Sequence, residues 1–429
     1  MPNPQLPSGM AWQDRRFRCP RDHAHPEEGM IDVYAREITA SDKKRADLPY
    51  LVFFQGGPGF ASPRPLNFSG WVRKACERYR VLLLDPRGTG CSSPLSSQTL
   101  AGKTPAEQAE ELELYRADAI VKDVECIRHE LIGDRPWTIL GQSFGGFCAV
   151  HYLSRYPEAL AGVLIMGGLP PLAARADDIY RRTFKLVAER NRRYYERYPE
   201  DVERVRAIVT HIGERDVQLP ASGHFSPRRL QTLGLRFGMS TGYEVVHFMI
   251  EEAFVQGAEG REISYNFLRE FENTVGFDCH PIFAILHEPI YAQGHATRWS
   301  AERIRAEFPQ FDPLRSDGPV FFTGEMIFPW MFEEVETLKP LREAAHLIAE
   351  KEDWPQLYDT AVLTENKVPC AALIYAEDMY VERNFSEDTA KVIRGCKVWM
   401  TNEYDHDGLR TDGMRVLGKL LDMLHGPTQ

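Results

Sequence analysis

The run Thr138-Ile139-Leu140-Gly141-Gln142-Ser143-Phe144-Gly145-Gly146 predicts a short apolar strand that turns abruptly into a helix. A strand leading into Gly-x-Ser-x-Gly is the nucleophile-elbow pattern, a sharp turn that holds a serine hydroxyl out at the carboxyl edge of a parallel sheet. The positions two before and two after Ser143 are crowded in such a turn, and glycine fills them without a Cβ. Phe147-Cys148-Ala149-Val150-His151-Tyr152-Leu153 continues as a helix, ended by Tyr156-Pro157. The start of that helix lies under the serine, so its free N–H groups can hold a developing anion. Gly-x-Ser-x-Gly also occurs in loops that do no chemistry. The strand before it and the helix behind it favour the catalytic reading.

Upstream, Pro49-Tyr50-Leu51-Val52-Phe53-Phe54 has the continuous apolar character of a buried strand. It ends in Gln55-Gly56-Gly57-Pro58-Gly59, a bare main chain whose N–H groups can approach a ligand. In α/β-hydrolases the loop at this place supplies one oxyanion donor. Tyr79 to Leu84 is a second buried strand, leading into Asp85-Pro86-Arg87-Gly88-Thr89-Gly90-Cys91-Ser92. Asp85 and Arg87 are expected to pair internally and brace that turn. Thr104-Pro105 then opens a helical stretch in which Leu112, Tyr115, Ala119, Val121, Val124, Ile127 and Leu131 recur up to Gly133. Strand, helix and elbow strand in succession are the βαβ alternation of a mostly parallel, doubly wound sheet. The first thirty residues, Pro-rich and polar, read as an irregular lead-in in which His23 and His25 are surface histidines. Met30 to Ile38 alternates like an antiparallel edge strand.

Downstream, Leu160 to Met166 is another core strand, broken by Gly167-Gly168-Leu169-Pro170-Pro171. From there to about residue 355 helix-like segments dominate, such as Asp177 to Arg197 and Glu343 to Lys351. Arg181, Arg182, Arg190, Arg192 and Arg193 are interleaved with Glu189 and Glu196, as on a solvated helix face. Sheet character returns at Pro369 to Ala376, followed by Glu377-Asp378, and again at Lys397 to Met400, followed by Asn402-Glu403-Tyr404-Asp405-His406-Asp407-Gly408. Met414 to Leu424 closes the chain as an amphipathic helix. The expected architecture is an α/β-hydrolase fold, its core in residues 1-170 and 356-429, split by a helical cap over residues 171-355.

The 429 residues leave room for a large core, and a net charge of −11 disfavours nucleic acid and anionic membrane surfaces as partners. No apolar run reaches the roughly 20 residues of a spanning helix. The N-terminus has no basic-then-apolar leader, so a cytoplasmic setting is the expectation. The eight cysteines are scattered without a Cys-x-x-Cys, which predicts free thiols and no structural metal.

An elbow serine needs a base and an orienting acid, in the chain order serine, acid, histidine. The acid should follow a late core strand and the histidine should precede the last helix. Asp378 and His406 stand in those places. Neutral His406 would take the Ser143 proton during attack and return it to the leaving group, while Asp378 fixes the imidazole tautomer. Glu377, Asp405 and Asp407 compete for the acid role; strand-end geometry favours Asp378. The N–H groups of Gly57 and Phe144 are the candidate oxyanion donors.

Taken together, Gln55 to Gly59, Asp85 to Ser92 and Gly141 to Gly146 resemble the proline iminopeptidases (prolyl aminopeptidases). The stretches Ile285-Leu286-His287-Glu288, Thr323-Gly324-Glu325-Met326-Ile327-Phe328-Pro329-Trp330, Tyr375 to Glu382 and Asn402 to His406 are similar to the larger bacterial members. Smaller members carry histidine where this chain has Gln55. The resemblance implies a serine exopeptidase that removes N-terminal proline from peptides without metal or other cofactor. It further implies cap glutamates that countercharge the substrate's secondary ammonium. Glu325 is the better match and Glu288 the next, with Glu302 its rival. Leu169 stands where the family usually places an aromatic against the pyrrolidine ring; Phe144 and Tyr380 are further apolar contacts. A homo-oligomer is compatible with all of this. An esterase or other acyl hydrolase of the same fold, or a non-catalytic ligand-binding homologue, are the competing readings.

Overall fold

Eight strands, β1 (Met10–Pro20), β2 (Met30–Ala40), β3 (Tyr50–Phe54), β4 (Arg80–Leu84), β5 (Trp137–Gln142), β6 (Leu160–Met166), β7 (Cys370–Tyr375) and β8 (Cys396–Thr401), form one sheet in the order β1-β2-β4-β3-β5-β6-β7-β8. The computed structural model describes residues 8–258 and 260–426, with the backbone alone at residue 278. β2 runs antiparallel to both of its neighbours, β1 and β4, and every pairing from β4 to β8 is parallel. Residues 8–95, 110–173 and 355–426 make up the unit that contains this sheet. Ser96–Ala109 and Ala174–Trp354 make up a second, mainly helical unit.

The period of two sorts the strand side chains onto two faces. Leu51 and Phe53, Val81 and Leu83, Leu140, Leu164 and Met166, and Ala371, Leu373 and Tyr375 share one apolar cluster. The Gly70–Ala75 helix adds Trp71 and Val72, and the closing helix (Gly413–His425) adds Val416, Leu417, Leu420 and Leu421. The other face of the sheet carries helix α1 (Ala117–Ile132) and helix α2 (Phe144–Arg155), of which α2 packs on β3, β5 and β6. Strands buried on both faces are why the segments read as unbroken apolar runs.

Four expectations need correction. Residues 1–7 of the N-terminal stretch lie outside the described residues, and from Met10 it is not irregular: β1 pairs with β2 from Met10 opposite Ala40 to Pro20 opposite Met30. Its inward Met10, Phe17 and Cys19 are separated by five charged or amide residues, which hide the pattern. For the same reason β2 is not an edge strand, because β1 covers its outer side. His23 is not a surface histidine; its Nε2 lies 2.8 Å from the buried Asp123 carboxylate. The helical stretch before the elbow is broken between Pro105–Leu112 and α1 by a turn at Glu113–Tyr115. There the Leu114 carbonyl is drawn out of helical bonding by the Arg87 guanidinium at 2.9 Å. Arg87 also binds Asp123 (Nε to Oδ2, 2.8 Å) while Asp85 accepts from Arg64 (2.9 Å) and from the Ser62 and Cys91 N–H groups. Both therefore brace the turns, as their position predicts. All eight cysteines are free thiols, and Cys19, Cys76, Cys148 and Cys370 are buried.

In the second unit α3 (Ala176–Arg197) is the longest helix, accompanied by shorter helices and the hairpins Gln218–Leu219/Gly223–His224 and Phe254–Gly257/Gly260–Ile263. Its arginines pair with acids: Arg181 with Glu307 at 3.0 Å, and Arg192 with Glu189 at 3.0 Å. Arg190, by contrast, is buried rather than on the solvated face. Among the described residues no helix is long and apolar enough to cross a membrane.

Candidate active site

Ser143 stands between β5 and the first residue of α2 with φ 54° and ψ −127°. A non-glycine residue in that region costs on the order of 1–3 kcal/mol, so its surroundings must hold it there. The Ser143 N–H donates to the Met166 carbonyl at 3.0 Å, and the Ser143 carbonyl accepts from the Gly146 N–H at 2.7 Å. Space explains the flanking glycines. A Cβ on Gly145 would run into the Phe54 carbonyl, and one on Gly141 into the backbone of Gly145. Gly145→Ala is therefore expected to lower stability by about 3 kcal/mol or more, read as a drop in the urea midpoint. A midpoint unchanged by the substitution would mean that β3 and α2 can separate without cost.

The β3 loop passes beside the nucleophile: a Cβ on Gly56 would lie 3.0 Å from that of Ser143 and 3.6 Å from its Oγ. Gly57 follows with φ 138°, a conformation open to glycine, and Phe144 opens α2 with its N–H among the unpaired donors of the helix start.

Asp378 lies just past β7, buried, next to an exposed Glu377. Its Oδ1 accepts from the N–H groups of Tyr380 (2.9 Å) and Val381 (3.1 Å), and its Oδ2 is 2.7 Å from Nδ1 of His406. A carboxylate only accepts, so Nδ1 carries the hydrogen and Nε2 is the lone-pair nitrogen. The imidazole is gripped edge-to-face by Tyr380, with centroids 4.8 Å apart, and flanked by Tyr375 at 5.9 Å. Asp407, also buried, closes the turn that follows, its main-chain carbonyl accepting from the N–H groups of Arg410 (2.8 Å) and Thr411 (3.0 Å).

Two glycines that break the strand after Met166 join these parts. A Cβ on Gly167 would lie 3.1 Å from Nδ1 of His406 and 2.7 Å from the Tyr375 ring, and one on Gly168 would strike the Ser143 carbonyl. The imidazole and the elbow thus pack against consecutive residues. Leu169, next in the chain, is fully buried, and its carbonyl accepts from the Ser386 hydroxyl at 3.4 Å.

Comparison with known proteins gives the family. A family model described as alpha/beta hydrolase fold matches residues 49–210. A proline iminopeptidase of Aeromonas sobria is 44% identical over 96% of this chain and 96% of its own length. The proline iminopeptidase aneH of Aspergillus aculeatus is 36% identical over 94% of this chain and 92% of its own. The chain belongs to the proline iminopeptidase family. Among solved structures, an alpha/beta fold family hydrolase from Bacillus anthracis aligns at 12% identity and TM-score 0.43, covering 96% of this chain and 99% of that one.

In this member of the proline iminopeptidase family the three candidate glutamates all lie in the helical unit, and they differ sharply. Glu288 is buried, and its oxygens accept from the N–H groups of Ser300 (3.0 Å) and Ala301 (2.8 Å), capping the short helix Ser300–Arg305. Burial pushes its carboxyl up to about 7, against the opposing pull of those two donors. Glu302 is tied to Arg305 at 2.8 Å. Glu325 is half-buried, and its main-chain carbonyl lies 3.2 Å from Nε2 of His287. Burial, then Glu288, Tyr291 and Glu325, push the Tyr180 phenol well above its usual range, which places both acids in the electrostatic neighbourhood of one buried hydroxyl. Neither Tyr180 nor His287 stands out in the sequence. A tyrosine among several on an amphipathic helix looks like core, and the histidine is overshadowed by the glutamate beside it.

Proposed function

We propose that this chain releases proline from the free N-terminus of peptides through an acyl-enzyme in which Ser143 is the nucleophile. Ser143 Oγ attacks the carbonyl carbon of the N-terminal prolyl residue as Nε2 of His406 accepts its proton. Asp378, bonded to Nδ1, stabilises the imidazolium. The N–H groups of Gly57 and Phe144 hold the oxyanion, where losing one donor typically costs ~10²-fold or more in turnover. Collapse breaks the C–N bond, and His406 returns the proton to the departing amine. Water, deprotonated by the same Nε2, then frees proline and restores the serine.

Recognition of a secondary ammonium calls for two acceptors of negative charge, for which Glu325 and Glu288 are the proposed groups. Glu288 keeps spare acceptor capacity beyond its two main-chain donors, and a bound ammonium would favour its ionised form. Leu169, Phe144 and Tyr380 supply apolar surface for the ring. A peptide with N-terminal proline is the proposed partner, met in a cytoplasmic setting. The observation that carries the reading is the 44% identity, over nearly the whole of both chains, to a proline iminopeptidase.

The deciding experiment compares proline p-nitroanilide with its N-blocked form. Only the free form should turn over, whereas an esterase has no reason to demand the amine. Glu325→Gln should lower kcat/KM for the free anilide by about 10²-fold, and by far less for a simple aryl ester. Equal losses on both would show that Glu325 does not read the amine.

A further inference from the structure

His287 is a buried side chain that the proposed chemistry leaves without a task. It is 2% exposed, with its ring against Phe283 (centroids 4.9 Å) and Tyr291 (6.5 Å). Its Nε2 lies 3.2 Å from the main-chain carbonyl of Glu325. A carbonyl can only accept, so Nε2 bears the hydrogen and Nδ1 is a lone pair. That Nδ1 is buried with no hydrogen-bond partner. Burial lowers the pKa of the imidazole to about 4, despite the Glu325 carbonyl, so the ring is neutral and the donor is in place throughout the neutral range. Leucine would fill the same space without stranding a nitrogen. The polar bond that the imidazole makes in exchange is the one to Glu325.

His287 also directly precedes Glu288 in the chain. One ring therefore ties the segment bearing one acid to the main chain of the other, and the charges of both acids help raise the Tyr180 phenol above its usual range. We infer that His287 is a positioning residue for amine recognition: its Nε2–H fixes the Glu325 main chain, and with it the reach of the Glu325 carboxyl relative to Glu288. This rests on the reading of Glu325 as a countercharge to the substrate ammonium.

The test is the ratio of kcat/KM on proline p-nitroanilide to that on a simple aryl ester, in the full chain. His287→Leu removes the donor and should lower the ratio about tenfold, chiefly through KM for the anilide. His287→Gln, whose amide N–H can reach the same carbonyl, should restore it to within about threefold of the parent. Should the leucine variant fail to fold, His287→Gln against His287→Asn carries the same comparison, since the shorter amide cannot make the bond. Glu325→Gln is measured alongside. A ratio lowered by Glu325→Gln but untouched by His287→Leu, or by His287→Asn in its place, overturns the inference while leaving the amine reading intact. A ratio untouched by Glu325→Gln overturns the amine reading and the inference with it.

Discussion

Ser143→Ala is expected to lower release of p-nitroaniline from proline p-nitroanilide by on the order of 10⁴-fold or more, with the fold preserved. Preservation follows from the local geometry. The Ser143 side chain makes no capping bond to α2, and alanine carries the same Cβ at φ 54° that serine does. Loss of the hydroxyl should thus change stability by no more than about 0.5 kcal/mol. A thermal melt superimposed on the parent's, together with abolished turnover, places the loss in the chemistry. A serine-directed phosphonate should label the parent once and the variant not at all. That second readout separates the enzyme from a ligand-binding homologue, in which neither protein would be labelled. Turnover within tenfold of the parent would remove Ser143 from the nucleophile's role.

Much of this arrangement could be read before any coordinates, because the physics responsible is local. An elbow needs small residues at fixed spacing, and a strand covered on both sides needs an unbroken apolar run; Gly141, Gly145 and the strands β3 to β7 satisfy those demands in the chain itself. The inward placement of Asp378 was legible for a related reason. At the end of β7 successive side chains point to opposite sides, and Asp378 turns inward while Glu377 faces solvent. What escaped notice depends on distant partners. β1 reads as polar because its few buried apolar residues are outnumbered by charged ones, and these pair across to β2: Arg15 with Glu37, Arg18 with Asp32, and Asp14 with Arg36. His23 finds Asp123 a hundred residues away. Gly167 and Gly168 look like punctuation until His406 and Ser143 are seen to press on them. His287 gives no local sign that its one bond goes to a carbonyl thirty-eight residues on.

The orienting acid provides the second large effect. Asp378→Asn is expected to reduce kcat by about 10⁴-fold while leaving KM within a few-fold of the parent. The two oxygens of Asp378 are not equivalent. Oδ1 accepts from the N–H groups of Tyr380 and Val381, which only an oxygen can satisfy, so an asparagine must keep its carbonyl there. Its amide NH2 is then driven toward Nδ1 of His406, the atom that now donates to Oδ2 across 2.7 Å. Two donors cannot face each other, so the ring must give up the Nδ1 hydrogen and carry it on Nε2. In that tautomer Nε2 has no lone pair with which to take a proton from serine. Asp378→Ala leaves the tautomer free and sacrifices only orientation and imidazolium stabilisation, so it should be no more damaging than the asparagine, despite being the less conservative change. Steady-state kinetics on the two variants, with thermal melts to confirm folding, measure the difference. If Asp378→Asn kept turnover within tenfold of the parent, the acid of the triad would have to be sought at Asp405 or Asp407.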